Sequence, residues 1–327
     1  MYLLTADVHL DDQPENEYRW DIFEQVRAVC DKHEISRVFC LGDLVDRKDR
    51  FSAAFVNRLF GELDDRWLIL RGNHDTTLRP PAYFEFLPNY ISEPTGYFGG
   101  LLRPPDTPGV RLLLLPFTPY PDEDWQNLNL AVFDSVFMHA TVTGARIDNG
   151  MVLDNPRFPE LPPHVKFYSG DIHHPQQVRN VTYVGAPHPT KFGDTYACRM
   201  LLLDENTFDI MEVIELTPPQ KRMIDIRSAA DLDKLHNIRP GDQIKIRLSS
   251  HPGGIDELAR TEAQIAEWAH RCGVTIAGTE VIVDAPLVAG GVDTNLEPEA
   301  ILDQFALHEQ LTDDLLELGQ DILKEVE

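Results

Sequence analysis

The stretch RVFCLGDLVDR, residues 37–47, joins an apolar run to a charged motif. The run Val38 to Leu41 lacks polar alternation, which is typical of a strand that is buried on both faces. Gly42 and Asp43 follow directly, so a carboxylate stands where the predicted strand ends. Taken alone, this motif could also be an ordinary turn with a helix N-cap at Asp46.

The same arrangement recurs on both sides of this stretch. Residues 1–6 and 67–70 are short apolar runs that also end at polar residues. Residues 18–32 and 52–63 carry apolar side chains at helical spacing and lie between these runs. Strands that alternate with helices predict an α/β fold with largely parallel neighbouring strands.

Further apolar runs extend the pattern. They predict strands at residues 110–115, 132–138, 165–168, 198–203 and 208–214. The segment Asp204 to Thr207 reads as a hairpin turn between the last two strands. We therefore expect two sheets that face each other, with helices on the outside.

Polar residues cluster just past the ends of five predicted strands. They are Asp7, His9, Asp43, Asn73, His74, His139, Asp171 and His173. Ligands gather at the carboxyl ends of strands in α/β sheets, so we expect these side chains to converge. Carboxylate, imidazole and amide donors without sulfur suit Mn²⁺, Mg²⁺ or Fe²⁺ better than a structural zinc. Each residue alone is compatible with a loop, a turn or a core histidine, but the combination in this order is hard to explain by chance.

Composition limits the class of protein. The chain has 29 basic and 54 acidic residues, a net charge of -25, which by simple electrostatics opposes nucleic-acid binding. Bound divalent cations and a partner subunit could offset that charge. The four cysteines show no C-x-x-C spacing, which argues against a disulfide framework or a thiolate zinc site. Because neither a signal peptide nor a long apolar stretch is recognisable, we expect a cytoplasmic protein without membrane contact.

The chain divides into three predicted parts. The segment Thr217-Pro218-Pro219 ends a first domain at residues 1–217. Residues 218–284 follow as a small α+β module of alternating strands and helices. Residues 285–327 read as a Gly/Pro/Ala-rich linker and then a helical tail.

The motifs together resemble the calcineurin-like metallophosphoesterases. The likeness rests on D-x-H at 7–9, GD-x-x-DR at 42–47, GNHD at 72–75, the later His139, and G-x-x-H at 170–173. The resemblance implies a four-layer α/β/β/α sandwich, here with a small α+β capping domain and a helical C-terminal tail. It also implies hydrolysis of phosphoesters by two metal ions.

A narrower likeness follows from GDIHHPQ at 170–176, GAP at 185–187 and FGD at 192–194. These residues resemble the SbcD-type DNA repair exonuclease subunits, which include phage recombination nucleases. The resemblance implies a DNA 3′→5′ exonuclease and single-strand endonuclease of recombination, repair or replication. The short chain favours a phage origin, in which case the compartment is the host cytoplasm.

The resemblance also assigns the ligands of two divalent ions, Mn²⁺ first and Mg²⁺ as the alternative. One ion is held by Asp7, His9, Asp43 and His173. The other is held by Asp43, Asn73, His139 and Asp171. In this assignment Asp43 bridges both ions, His74 positions the phosphate and protonates the leaving oxygen, and Asp46 orients ligands or His74.

One position departs from the family pattern. The family usually writes its last motif G-H-x-H, whereas this chain has Asp171 between Gly170 and His173. A third carboxylate beside Asp7 and Asp43 predicts a harder site that leans toward Mn²⁺ or Mg²⁺. The alternative is that Asp171 weakens the second metal so far that activity needs a partner.

Basic residues near the site and in the capping module are candidate DNA contacts. They are Arg47, Lys48, Arg50, Lys245 and Arg247. A solvated loop and a plain surface strand, respectively, are the alternative interpretations. Ile244, Ile246 and Leu248 alternate with the last two, which predicts a strand with one buried and one basic face.

The tail carries Leu311, Leu315, Leu318 and Ile322 near heptad spacing. In the resembled family this region docks onto an SMC-like ATPase of the SbcC type, although an acidic amphipathic helix could instead fold back on its own domain. A homodimer is left open. Two other functions also stay open: a phosphoprotein phosphatase or nucleotide phosphodiesterase, and a non-catalytic scaffold.

Overall fold

The fold is given by a computed structural model. It describes residues 1–47, 51–76, 87, 89–98, 101–103, 111–147, 150–155, 158, 160–250 and 255–283. Lys48 and Arg50 lie outside the described residues, as do the predicted linker and tail of residues 285–327.

Strands and helices alternate through most of the described chain. The strands are β1 (Tyr2–Thr5), β2 (Arg37–Cys40), β3 (Trp67–Leu70), β4 (Tyr90–Ile91), β5 (Thr95–Phe98), β6 (Leu101–Arg103), β7 (Leu112–Leu115), β8 (Ser135–His139), β9 (Lys166–Gly170), β10 (Gln176–Val178), β11 (Val181–Tyr183), β12 (Arg199–Leu203), β13 (Ile210–Glu215), β14 (Lys221–Ile226), β15 (Gln243–Ser250) and β16 (Thr275–Val283). The α-helices are α1 (Asp21–Lys32), α2 (Ala53–Glu62), α3 (Pro121–Asp124) and α4 (Ile255–Cys272).

The chain forms two large mixed sheets, and the central strands of each sheet are parallel to one another. The first has the strand order β13-β12-β1-β2-β3-β4, and β1 to β4 are parallel to their neighbours in sequence. The second has the order β10-β11-β9-β8-β7-β5-β6, with β7, β8, β9 and β11 parallel. In both sheets the antiparallel strands are the outer ones. The central strands run parallel, so their carboxyl ends lie at the same end of the sheet.

The two sheets face each other across a common core. Leu4 and Phe39 of the first sheet share a buried cluster with Leu114 and Phe137 of the second. The rings of Phe39 and Phe137 meet edge to face with their centroids 4.9 Å apart. Burial of each such side chain contributes about 1.5–3 kcal/mol, so this interface is a major part of the core.

Helices and loops cover the outer faces. Leu3 points away from the second sheet and packs in a cluster with Phe23 of α1 and Phe55 of α2. Val136 of the second sheet packs with Trp125, the residue after the short helix α3. The α/β/β/α order that the sequence predicted is confirmed, and among the described residues the outer layer on the second sheet is the thinner one.

The C-terminal elements include a third sheet, with the order β14-β15-β16. Ile244, Ile246 and Leu248 of β15 are buried, whereas Lys245 and Arg247 between them are half-buried. The alternation predicted for this strand is therefore present. Two compact units are distinguished, and the larger includes residues 1–224, 236–245 and 269–278. A domain boundary at residue 217 stays a prediction.

Some predicted boundaries were wrong. The helix predicted at 18–32 begins as a 3-10 turn over Pro14–Trp20, and α1 follows it. The strand predicted at 132–138 begins at Ser135, because Leu130–Val132 form a 3-10 turn capped by the side chain of Asn129. None of the helices that the structure describes combines the length and the apolar composition of a membrane span.

Candidate metal centre

The candidate site lies where five parallel strands end. β1, β2 and β3 lead into Asp7, Asp43 and Asn73, while His139 is the last residue of β8 and Asp171 follows β9. The loops after β1 and β2 continue the strand pairing. The amide of Asp7 donates to the carbonyl of Gly42 at 3.0 Å, and the amide of His9 donates to that of Asp43 at 2.9 Å. This ladder fixes the spacing between the first two ligand loops.

One group of side chains surrounds the Nε2 atom of His9. His9 Nε2 lies 3.1 Å from His173 Nε2 and 3.7 Å from Asp43 Oδ2. Ligand atoms of Asp7, His9 and His173 all lie within 4.8 Å of one another. The structure thus brings together the four residues predicted for the first metal.

A second group surrounds the Nε2 atom of His139. It lies 2.8 Å from Asn73 Oδ1, 3.5 Å from Asp43 Oδ1 and 3.7 Å from Asp171 Oδ1. The other carboxylate oxygen of Asp171 accepts a hydrogen bond from Thr141. Asp43 thus presents one oxygen to each group, as a bridging ligand must.

These residues fit divalent cations. Asp7 Oδ2 is buried and has no hydrogen-bond partner, which is costly for a carboxylate unless a cation neutralises it. His9 Nε2 and His173 Nε2 lie 3.1 Å apart. Two ligand atoms that bind one ion at about 2.1 Å and at right angles to each other are separated by roughly 3 Å, so this distance fits a shared ion. The oxygen and imidazole donors suit Mn²⁺ or Mg²⁺. Metal binding by each named residue remains a prediction.

The backbone is strained at four of the seven predicted ligands. Asp7, His9, Asp43 and Asp171 have φ angles of 54°, 48°, 52° and 77°. Each such conformation costs about 1–3 kcal/mol and is usually kept only where surrounding structure enforces it, often at functional sites. Hydrogen bonds between the loops after β1 and β2 hold the backbone at Asp7, His9 and Asp43.

Two glycines make room for the ligands. A Cβ on Gly42 would come within 2.1 Å of the ring of His139, and one on Gly72 within 2.1 Å of Asp43 Oδ1. Gly42 also has a φ of +92°, which side chains rarely tolerate. The close approach of His139 to Gly42 and of Asp43 to Gly72 therefore requires glycine at both positions.

In each predicted ligand histidine, Nδ1 lies near an orienting partner, while Nε2 faces one of the two groups of donors. His139 Nδ1 donates to the carbonyl of Leu41 at 2.7 Å, because a carbonyl only accepts. His9 Nδ1 lies 3.4 Å from Asp46 Oδ1. Thr190 Oγ1 lies 2.8 Å from His173 Nδ1, and its own proton is directed at Asp194. Each ring is therefore oriented by a separate partner.

Burial and charge shift the pKa values in the site. Burial raises the pKa of Asp7 to about 7, against the pull of His139 and His173. Burial lowers the pKa of His9 to about 4. At His139 burial acts downward, but the carboxylates of Asp43, Asp171 and Asp7 outweigh it and raise the pKa to about 9. So many carboxylates around one buried histidine indicate a place for positive charge.

His74 and Asp46 lie beside both groups. His74 Nδ1 donates to the carbonyl of Asp46 at 2.8 Å, and the amide of His74 donates to Asp43 Oδ1 at 2.8 Å. The ring of His74 stands perpendicular to that of His9, with centroids 4.6 Å apart. The hydrogen bond with His9 lowers the pKa of Asp46 to about 2, so Asp46 stays charged. Asp46 therefore contacts both histidines, which agrees with an orienting role.

Asp75 and Thr190 were missed at the sequence level. The buried carboxylate of Asp75 accepts hydrogen bonds from the amides of Gly72 at 2.8 Å and Val45 at 3.1 Å. It therefore ties together the loops after β2 and β3. Asp75 closes the GNHD motif, so its position was a signal, whereas Thr190 lies in no recognisable pattern.

Removal of the Thr190 hydroxyl tests how His173 is held. We expect Thr190→Val to weaken Mn²⁺ binding at one of two sites by about 10–100-fold, the usual cost of losing a partner of a metal ligand. Calorimetric titration with Mn²⁺ measures this loss. Thr190→Ser should restore the affinity, and Thr95→Val, which removes a hydroxyl on β5, is the matched control. Equal affinities in all four proteins would contradict the assigned role.

The candidate DNA contacts are spread along the chain. Arg47 is exposed and is the last residue of the motif that carries Asp43. Lys245 and Arg247 lie on β15, and Arg247 is 3.5 Å from Asp225 Oδ1. Contact of DNA with any of them stays a prediction.

Comparison with known families agrees with this geometry. Residues 2–211 match the calcineurin-like phosphoesterases, a span that includes all seven predicted ligands, the second sheet, and the first sheet except for most of β13. No curated protein matches the chain. The narrower resemblance to SbcD-type subunits remains a prediction. The chain belongs to the calcineurin-like phosphoesterase family.

Proposed function

We propose that the protein is a two-metal DNA nuclease, with 3′→5′ exonuclease and single-strand endonuclease activity. The observation that carries the proposal is the carboxylate of Asp43, whose two oxygens face two separate groups of donors. Two cations that share one carboxylate lie about 3.5–4 Å apart, the spacing used for in-line displacement at phosphorus. The SbcD-like motifs between residues 170 and 194 favour DNA as the substrate.

The chain's own residues divide the remaining work. When bound, the two cations would supply an activated water and neutralise charge on the phosphodiester. His74 lies next to the predicted ligand Asn73, and its Nδ1 is fixed by the carbonyl of Asp46. Its Nε2 is then the atom that can hold a proton for the leaving oxygen. Asp46 keeps His9 oriented through Nδ1.

A substrate panel tests the proposal. Purified protein with Mn²⁺ is incubated with end-labelled linear DNA, bis(p-nitrophenyl) phosphate and a phosphopeptide. We expect release of nucleotides from DNA and cleavage of the diester, with no release of phosphate from the peptide. Activity on the phosphopeptide alone would favour a protein phosphatase, and no activity on any substrate would favour a scaffold. On the DNA substrate, His74→Ala serves as the control for contaminating nucleases.

Asp171 sets the metal preference in this proposal. We expect Asp171→His to raise the affinity for Co²⁺ or Zn²⁺ relative to Mg²⁺ by about tenfold or more, because imidazole is the softer ligand. Competitive metal titrations of both proteins measure the ratio. An unchanged ratio would mean that Asp171 does not set the preference. If the wild type binds one metal ion and Asp171→His binds two, the result would support a second site that a partner completes.

The tail is proposed to bind an SMC-like ATPase of the SbcC type, in the cytoplasm of the cell or of a phage host. Truncation at about residue 290 is expected to abolish partner binding and to leave metal-dependent hydrolysis intact, since the predicted ligands all precede residue 174. Co-purification with the ATPase and diester hydrolysis measure the two properties. Loss of both together would count against a docking role.

A further inference from the structure

A groove of about 420 Å³ begins at the metal centre. Two candidate ligands, Asp171 and His173, form part of its wall. Its other walls include Ile147, Lys191 and Phe192. Ligand pockets usually span roughly 300–1,000 Å³, so the groove can take a molecular fragment that extends from the reacting phosphate.

The turn that carries Phe192 is firmly held. Asp194 Oδ2 accepts hydrogen bonds from the amides of Thr190 at 2.9 Å and Lys191 at 2.7 Å. The amide of Gly193 donates to the carbonyl of Lys221 at 3.0 Å. These bonds place Phe192 in the groove without help from a ligand, which is the preorganisation that a binding site needs.

A buried cation accompanies the ring. The ammonium group of Lys221 lies 5.8 Å from the ring centroid of Phe192 and donates to Asn16 Oδ1 at 3.1 Å. Burial lowers the pKa of Lys221 to about 8. A cation over an aromatic face is attractive, so Lys221 stabilises the orientation of the half-buried ring.

We propose that Phe192 stacks on an unpaired base next to the scissile phosphate, and that exposed Lys191 contacts a neighbouring phosphate. This inference rests on the proposed nuclease function and names the part of the substrate that the groove recognises. A base has a flat face that fits an aromatic ring, whereas the side chain of a phosphoserine has none. In a duplex those faces are covered by neighbouring bases. The groove therefore favours single strands and frayed ends.

Binding of a single-stranded oligonucleotide with 2-aminopurine and phosphorothioate linkages tests the stacking. In the wild type we expect the fluorescence of 2-aminopurine to be quenched on binding. Phe192→Leu should weaken binding about tenfold, the order expected for one lost stacked base, and should abolish the quenching. Phe192→Trp should restore both. Phe98→Leu, which alters an exposed ring on β5, is the matched control.

Hydrolysis separates failure of this inference from failure of the nuclease proposal. The ratio of turnover on thymidine 5′-(p-nitrophenyl phosphate) to turnover on bis(p-nitrophenyl) phosphate should fall about tenfold in Phe192→Leu. Equal ratios and equal quenching in Phe192→Leu and wild type would overturn the stacking role. A wild type that cleaves neither diester would overturn the nuclease proposal itself.

Discussion

Asp43→Asn is expected to lower kcat/KM for bis(p-nitrophenyl) phosphate by about 1,000-fold or more. The asparagine side chain keeps the size of the aspartate and can still accept the amide of His74, so the loop after β2 should fold as before. It cannot, however, present two anionic oxygens to the two groups of donors. Loss of the charge stabilisation that paired cations supply removes several kcal/mol from the transition state.

Metal stoichiometry gives this variant a second readout. We expect the wild type to bind two Mn²⁺ ions per chain with micromolar or tighter affinity. Asp43→Asn should bind one ion or none with such affinity. Asp134→Asn is a matched control, because its carboxylate pairs with Arg111 at the surface. Full activity of Asp43→Asn with two bound ions would contradict the bridging role.

His74→Gln is expected to slow the hydrolysis of DNA by about 100- to 10,000-fold, the usual contribution of a general acid. The effect should depend on the leaving group. A sugar alkoxide must be protonated as it departs, whereas p-nitrophenolate leaves readily without a proton. We therefore expect a loss of less than about tenfold on bis(p-nitrophenyl) phosphate.

Single-turnover rates on both substrates measure this difference. His164→Gln is a suitable control, because its ring bonds only a surface carbonyl, that of Ala131, among the contacts of the described residues. An equal loss on both substrates would show that His74 serves binding or ligand placement and does not supply a proton.

The sequence predicts that the seven candidate ligands lie close together, because each stands at or just after the end of a strand. The runs that end at Asp7, Asp43 and Asn73 are short, apolar and continuous, and their parallel pairing brings the loops to one edge. Gly42 and Gly72 mark the close contacts within those loops. Local patterns of this kind are readable without any knowledge of the tertiary fold.

The supporting contacts are not readable in the same way. Thr190 lies 17 residues after His173, and its hydroxyl reaches the ring only because the chain returns through β10 and β11. These strands are three residues each, too short for their apolar alternation to be detected. Lys221 donates a hydrogen bond to Asn16, which lies 205 residues earlier in the chain, so this contact also depends on the tertiary fold. Such contacts depend on topology, which a motif does not encode.

The net charge of -25 is the main argument against the proposed nuclease function, and cations bound at the site would offset part of it. Three carboxylates, those of Asp7, Asp43 and Asp171, face the two groups of donors. Two divalent cations would more than neutralise them. With both ions bound, the local charge at a phosphodiester would therefore depend on the site itself more than on the -25 total.

An anomalous-scattering map of a crystal soaked in Mn²⁺ tests the central claim most directly. We predict two peaks about 3.5–4 Å apart, one against His9 and His173 and the other against His139 and Asp171, with Asp43 between them. A single peak, or peaks that do not contact Asp43, would contradict the two-metal account.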